Sequence, residues 1–329
     1  MIIEKQRCLW IDTAKGIGII LVVYGHVLRG LHSSSIPLNK GFFEISDAFV
    51  YSFHMPLFFV LSGLFFKKSL DKYTPKGLFI EKIKTIFYPF LIWSIVQTGI
   101  KIVLSQYTNE QIGLDSLITC IFIPESQFWF LYALFFINII NIFFHEIFKK
   151  KWLIISLITG FLYYEYPINL SVFSDTFKYL IFFNLGIFLS DTLFEGGLLS
   201  KYSKLQYFML AFLLFTGIEY FYIMQSLNVL DNFLLPAISG ITIIILMSYI
   251  ISKKTFFEIF NQLGKYSMEI YILHRLVFSG TRIILFRFLS IENIFIHITL
   301  GTLLGVIIPF VITWKLRNVT SYNRLFRLN

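Results

Sequence analysis

Apolar blocks of roughly twenty residues recur along the chain from Trp10 to Trp314, and a helix rising 1.5 Å per residue needs roughly that length to cross a bilayer core. Backbone polar groups in lipid must be satisfied within the segment, so such blocks read as transmembrane helices. Composition agrees. Of 329 residues, 57% are hydrophobic and only 14% charged, against roughly 25% charged in soluble domains. A soluble fold of this size has nowhere to hide 40 phenylalanines. Lipid is the solvent for most of the chain.

The pattern predicts helices at 10–28, 46–66, 79–104, 127–148, 152–166, 176–194, 206–225, 233–251, 267–289 and 294–315. Residues 1–329 therefore read as one all-α transmembrane domain, a polytopic membrane helix bundle of about ten spans with no soluble domain. The connections alternate in charge. Lys5 and Arg7, Lys67 to Lys84, Lys149 to Lys151, Lys201 and Lys204, Lys253 to Lys265, and Lys315 to Arg327 fall on one set. The other set holds Arg29, Lys40 and Arg287 with Glu110, Asp115, Glu125 and Asp231. The positive-inside rule then puts both termini in the cytoplasm. Topology accounts for the net charge of +9, so nucleic acid is not an expected partner and the lipid bilayer is. The first apolar block carries Asp12 and Lys15 and lacks a small-residue cleavage site, so the first helix is expected to be retained. Cys8 and Cys120 fall on opposite predicted faces, so neither a disulfide nor a metal site is expected.

An ionisable side chain inside a membrane helix costs about 3 kcal/mol on insertion scales, so each invites a functional explanation. Lys15 and His26 stand eleven residues apart on the first helix, close to three turns and roughly 16 Å of rise, and so share one face at different depths. Lys15 would sit near the cytoplasm as a cation for an anionic donor, and His26 near the outer side as a titratable base. The alternative is that Lys15 snorkels to the interface and His26 bonds a neighbouring helix. On the second helix Pro56 invites a kink beside His54, whereas Ser62 and Gly63 read as ordinary helix packing. Lys82 and Lys84 lead the third helix out of the most basic stretch; phosphates or anionic headgroups suit such a site equally. Tyr271 and His274 are three residues apart and neighbours on the ninth helix. Glu165, Lys178, Asp191, Glu219 and His297 lie near predicted helix ends, where interfacial solvation is the expected explanation.

Taken in order, these segments resemble the acyltransferase-3 family of integral membrane O-acyltransferases. The resemblance rests on Lys15 to His26, Phe53 to Gly63, the basic entry to the third helix, Trp129 to Phe135, Phe182 to Phe188, and Ser267 to His274. The family more often carries arginine in the first helix. Lys15 is similar to the fucose-acetylase-like branch and offers a point charge in place of a bidentate fork.

The resemblance implies transfer of an acyl group, most often acetyl, from acyl-coenzyme A to hydroxyls of a surface polysaccharide such as a capsule or O-antigen, or of its lipid-linked precursor, in the bacterial inner membrane. Acetyl-coenzyme A would be the donor, held by Lys15 and by Lys82 or Lys84, and no metal is implied. His26 would be the base, with Lys15, His54 and Tyr271 as candidates for stabilising the oxyanion. Direct attack and an acyl-histidine intermediate both satisfy the residues. The competing class is a transporter or flippase of a lipid-linked glycan, which buried charges and a basic cytoplasmic face would also suit.

Overall fold

A computed structural model describes residues 8–34, 36–105, 113–195, 197–224 and 234–328. Lys5, Arg7, Glu110 and Asp231, which enter the topology argument, lie outside the described residues. In chain order the helices are α1 (Leu9–His32), α2 (Lys40–Tyr51), α3 (His54–Gly63), α4 (Phe66–Lys72), α5 (Pro75–Lys82), a π-helical turn (Ile83–Phe87) and α6 (Tyr88–Val103). They continue as α7 (Ser116–Phe122), α8 (Trp129–Phe148), α9 (Trp152–Glu165), α10 (Ser174–Glu195), α11 (Gly197–Tyr202), α12 (Leu205–Met224) and α13 (Leu234–Ile251). Last come α14 (Glu258–Lys265), α15 (Ser267–Ile283), a second π-helical turn (Ile284–Phe288), α16 (Ile294–Leu316) and α17 (Thr320–Asn323). Among the described residues there is no strand. Among the described residues, eight helical runs are long and apolar enough to cross a membrane, and one of them, Ser116–Glu165, contains both α8 and α9. The chain is an all-α polytopic membrane protein.

Proline chemistry sets several boundaries. Residue 56 is a proline with no N–H to offer the carbonyl four residues back, and the helix predicted at 46–66 is broken at Ser52–Phe53, resuming where Leu57 donates to the Phe53 carbonyl at 2.9 Å. The third helix begins earlier than its apolar pattern, because the Thr74 side chain accepts from the Gly77 N–H at 3.1 Å and Pro75 occupies the first turn. Two short helices, α7 and α14, occupy stretches that hydropathy alone assigns to connections. Each is too short to span a membrane.

The described chain forms two compact units. The first comprises Met1–Phe58, Asp191–His274 and Glu292–Phe310. Here α1 is the central element, packed by α14, α13 and α2. A Cβ at Gly16 would overlap the Phe260 carbonyl, and one at Gly264 the Asp12 carbonyl, so the backbones of α1 and α14 touch through reciprocal glycines. The Thr13 hydroxyl donates to Asn261 across the same contact.

The second unit comprises Phe59–Ser190, Arg275–Ile291 and Val311–Asn329. Gly63 meets the Phe183 carbonyl and Gly186 the Val60 carbonyl, the packing role expected of Gly63. Polar side chains bind its helices together. Asn184 donates to Ser156 at 2.7 Å and Ser156 to Asn141 at 3.0 Å, while the amides of Gln97 and Gln127 exchange hydrogen bonds at 3.3 and 2.8 Å.

Candidate active site

The site is built on α1. Most of this helix is buried, and Lys15 and His26, three turns apart on one face, are both half-buried, as are Ile20, Leu21, Tyr24, Arg29 and Gly30.

His26 faces a second histidine. The rings of His26 and His274 lie 5.1 Å apart, tilted by 44°, and His274 is completely buried. Its Nδ1 sits 2.6 Å from the Tyr271 carbonyl and 3.2 Å from that of Ile270. A carbonyl only accepts, so Nδ1 is the donor in these contacts. Tyr271, also buried, has its ring 6.1 Å from His274. The last turns of α1 and the first turns of α15 thus put two imidazoles and a phenol together.

Arg29, one turn beyond His26, makes a bidentate pair with Asp47 of α2 at 2.6 and 2.8 Å. Its guanidinium lies 3.1 Å from the centre of the Tyr51 ring. The Tyr51 ring in turn meets His54 edge-on at 4.5 Å. A fork–fork pair with a cation on a ring fixes both helix ends more tightly than either contact alone. His54 is fully buried and donates from Nδ1 to the Val50 carbonyl at 2.7 Å. Its Nε2 has no hydrogen-bond partner among the described residues.

A family model described as an acyltransferase domain matches residues 9–314. The chain belongs to the acyltransferase-3 family. It is a multi-pass membrane protein of that family. A curated relative, nodulation protein NolL of Mesorhizobium japonicum, is 28% identical over 138 residues, covering 40% of this chain and 34% of that protein. The match therefore spans about a third of the relative's length. No solved structure matches.

The remaining sequence candidates, Lys82 and Lys84, lie in the second unit. Lys82 closes α5 and Lys84 sits in the π-helical turn, both half-buried. Such turns interrupt a helix at a cost in regular hydrogen bonding, and they recur at functional sites.

Three groups escaped the sequence. His274 stood out only as a helical neighbour of Tyr271; its pairing with His26 joins residues 248 positions apart, which no local spacing encodes. Glu219 was expected to be solvated at the interface, and the structure corrects this. It is 1% exposed, faces Ser52 at the α2–α3 break, and neither carboxyl oxygen has a hydrogen-bond partner among the described residues. His297, 2% exposed, is corrected in the same way. Position along a helix measures depth, whereas burial depends on which face meets a neighbour.

Proposed function

We propose that this protein transfers an acyl group, acetyl in the leading case, from acyl-coenzyme A to a sugar hydroxyl of a cell-surface polysaccharide or its lipid-linked precursor. The enzyme would lie in the bacterial inner membrane with both termini cytoplasmic. The observation that carries the reading is the pairing of the half-buried His26 of α1 with His274, beside Tyr271, on α15. A family acyltransferase needs a base at the acceptor and polar hydrogens at the oxyanion, and this cluster supplies both types of group.

In the proposed reaction, His26 takes the proton of the acceptor hydroxyl as its oxygen attacks the thioester carbonyl. The tetrahedral oxyanion then collapses, the carbon–sulfur bond breaks, and the imidazolium returns its proton to the leaving thiolate. One ester and one thiol form, with no net proton change. Tyr271 and His54 are the candidates for donating to the oxyanion, which forms beside His26 and about three turns of α1 away from Lys15. Lys15, Lys82 and Lys84 are assigned to the donor's phosphates, for which cations are the natural partners.

Purified protein given radiolabelled acetyl-coenzyme A and a candidate glycan should yield labelled ester and free thiol in equal amounts. A glycan flippase would yield neither product. The orientation has its own test, since 115 and 150 fall on oppositely charged connections. Cysteines placed at Asp115 and Lys150 should differ in labelling of intact cells by an impermeant reagent. Equal labelling contradicts the topology.

A further inference from the structure

The 320–328 segment beyond α16 is fastened to the α5–α6 run. Trp93 donates its indole N–H to the Leu325 carbonyl at 2.9 Å, and its ring lies 5.3 Å from that of Phe326, which is buried. The hydroxyls of Thr313 and Tyr322 share a hydrogen bond of 2.7 Å at the root of the segment. Arg327 pairs with Glu81 at 2.7 Å, and the Leu328 N–H donates to the Lys84 carbonyl at 3.1 Å.

The last bond has a cause in the sequence. In the π register the Tyr88 N–H reaches back to the Ile83 carbonyl, and the next donor in that register belongs to residue 89. Residue 89 is a proline and has no N–H. The Lys84 carbonyl is thus left without its helical donor, and Leu328 supplies one. The segment is docked on the turn that carries Lys84.

Charge gives the docking a consequence. Glu81 is adjacent to Lys82 and three positions before Lys84, so its carboxylate opposes the two lysines wherever they face an anion. Arg327 neutralises it, and Arg324 places a further exposed cation on the same segment. A lone exposed ion pair would contribute little. This one is anchored on both sides by backbone and indole hydrogen bonds and sits beside the proposed donor cations.

We propose that the 320–328 segment is a working part of the donor site, with Arg327 a positioning residue that cancels Glu81 so that Lys82 and Lys84 present net positive charge to the phosphates of acyl-coenzyme A. This rests on the assignment of Lys82 and Lys84 to the donor. The ligand chemistry is a polyanionic phosphate, which an anionic lipid headgroup could also provide.

Binding of radiolabelled coenzyme A to the full chain in phosphatidylcholine nanodiscs, and again with phosphatidylglycerol added, separates the sources. Arg327→Gln should weaken coenzyme A about tenfold in phosphatidylcholine, the scale of one uncompensated neighbouring charge. Arg327→Lys should keep most of the affinity. The double variant Glu81→Gln with Arg327→Gln should recover most of it, although it lacks the ion pair altogether. A clasp that only holds the fold would leave the double variant as weak as the single one, and that result overturns the proposal. So does unchanged affinity for coenzyme A in Arg327→Gln, with or without a change in phosphatidylglycerol binding. Wild-type protein that binds no coenzyme A would instead remove the donor assignment itself, and the proposal with it.

Discussion

The two units bury different kinds of polar group. In the first, the buried polar side chains include Asp12, Asp47, His54, Glu219, His274 and His297. In the second, those among the described residues are amides and hydroxyls, with Gln97, Gln127, Asn138, Asn141, Ser156 and Asn184 at their centre. Neutral amides can satisfy one another in lipid at modest cost, as the Asn184–Ser156–Asn141 chain does. Ionisable groups cost more to bury and are retained where charge or proton transfer is used. On the proposed reading the first unit carries the chemistry, and the second carries scaffolding together with the lysines proposed for the donor.

The largest effect expected from breaking this division is at His26. Removing a positioned general base costs a factor of about 10² to 10⁴ in rate, so His26→Ala should lose transfer to that extent while expression and membrane insertion stay near normal. His54→Ala should cost less, because its Nδ1 is already engaged by the Val50 carbonyl and the ring also packs on Tyr51. Retention of more than about a tenth of wild-type activity in His26→Ala, well outside that range, would make His26 structural.

The next effect belongs to the second unit's lysines. Replacing both Lys82 and Lys84 with Gln removes charge-assisted contacts, each of about 1.5 to 3 kcal/mol, and should raise the apparent Michaelis constant for acyl-coenzyme A by roughly tenfold or more. The constant for the glycan should stay nearly fixed. An unchanged donor constant would reduce the two lysines to topology signals.

The smallest effect sharpens the scaffolding side. Asn184→Ala deletes the donor to Ser156, and an interhelical hydrogen bond in a membrane contributes about 1 kcal/mol. Thermal stability in detergent should fall slightly, with the transfer rate per folded molecule unchanged. A rate loss comparable to that of His26→Ala would erase the distinction between the units.

Much of this was legible in the chain. Block length and charge alternation are one-dimensional signals, so the all-α, multi-pass architecture and nearly every long helix could be read directly. A kink beside His54 was legible from Pro56, which acts on a carbonyl four residues away, whereas the full break at Ser52–Phe53 within the predicted 46–66 helix was not. That Lys15 and His26 share one face of α1 followed from helical periodicity alone. What the sequence hid is what depends on packing between distant segments. The His26–His274 pair, the Arg29–Asp47 fork under Tyr51, and the burial of Glu219 all arise from facing helices. Hydropathy also passed over α14, which is too short and polar to register as a span yet packs along α1 through Gly264.

Chemical rescue tests the central claim, that the imidazole of His26 is the base, most directly. Thiol release from acetyl-coenzyme A in the presence of acceptor is followed for His26→Ala and for the Lys82→Gln, Lys84→Gln variant as free imidazole is added. The account predicts that imidazole restores release in a saturable manner for His26→Ala and leaves the lysine variant unchanged. No restoration in His26→Ala, or equal restoration in both, would contradict it.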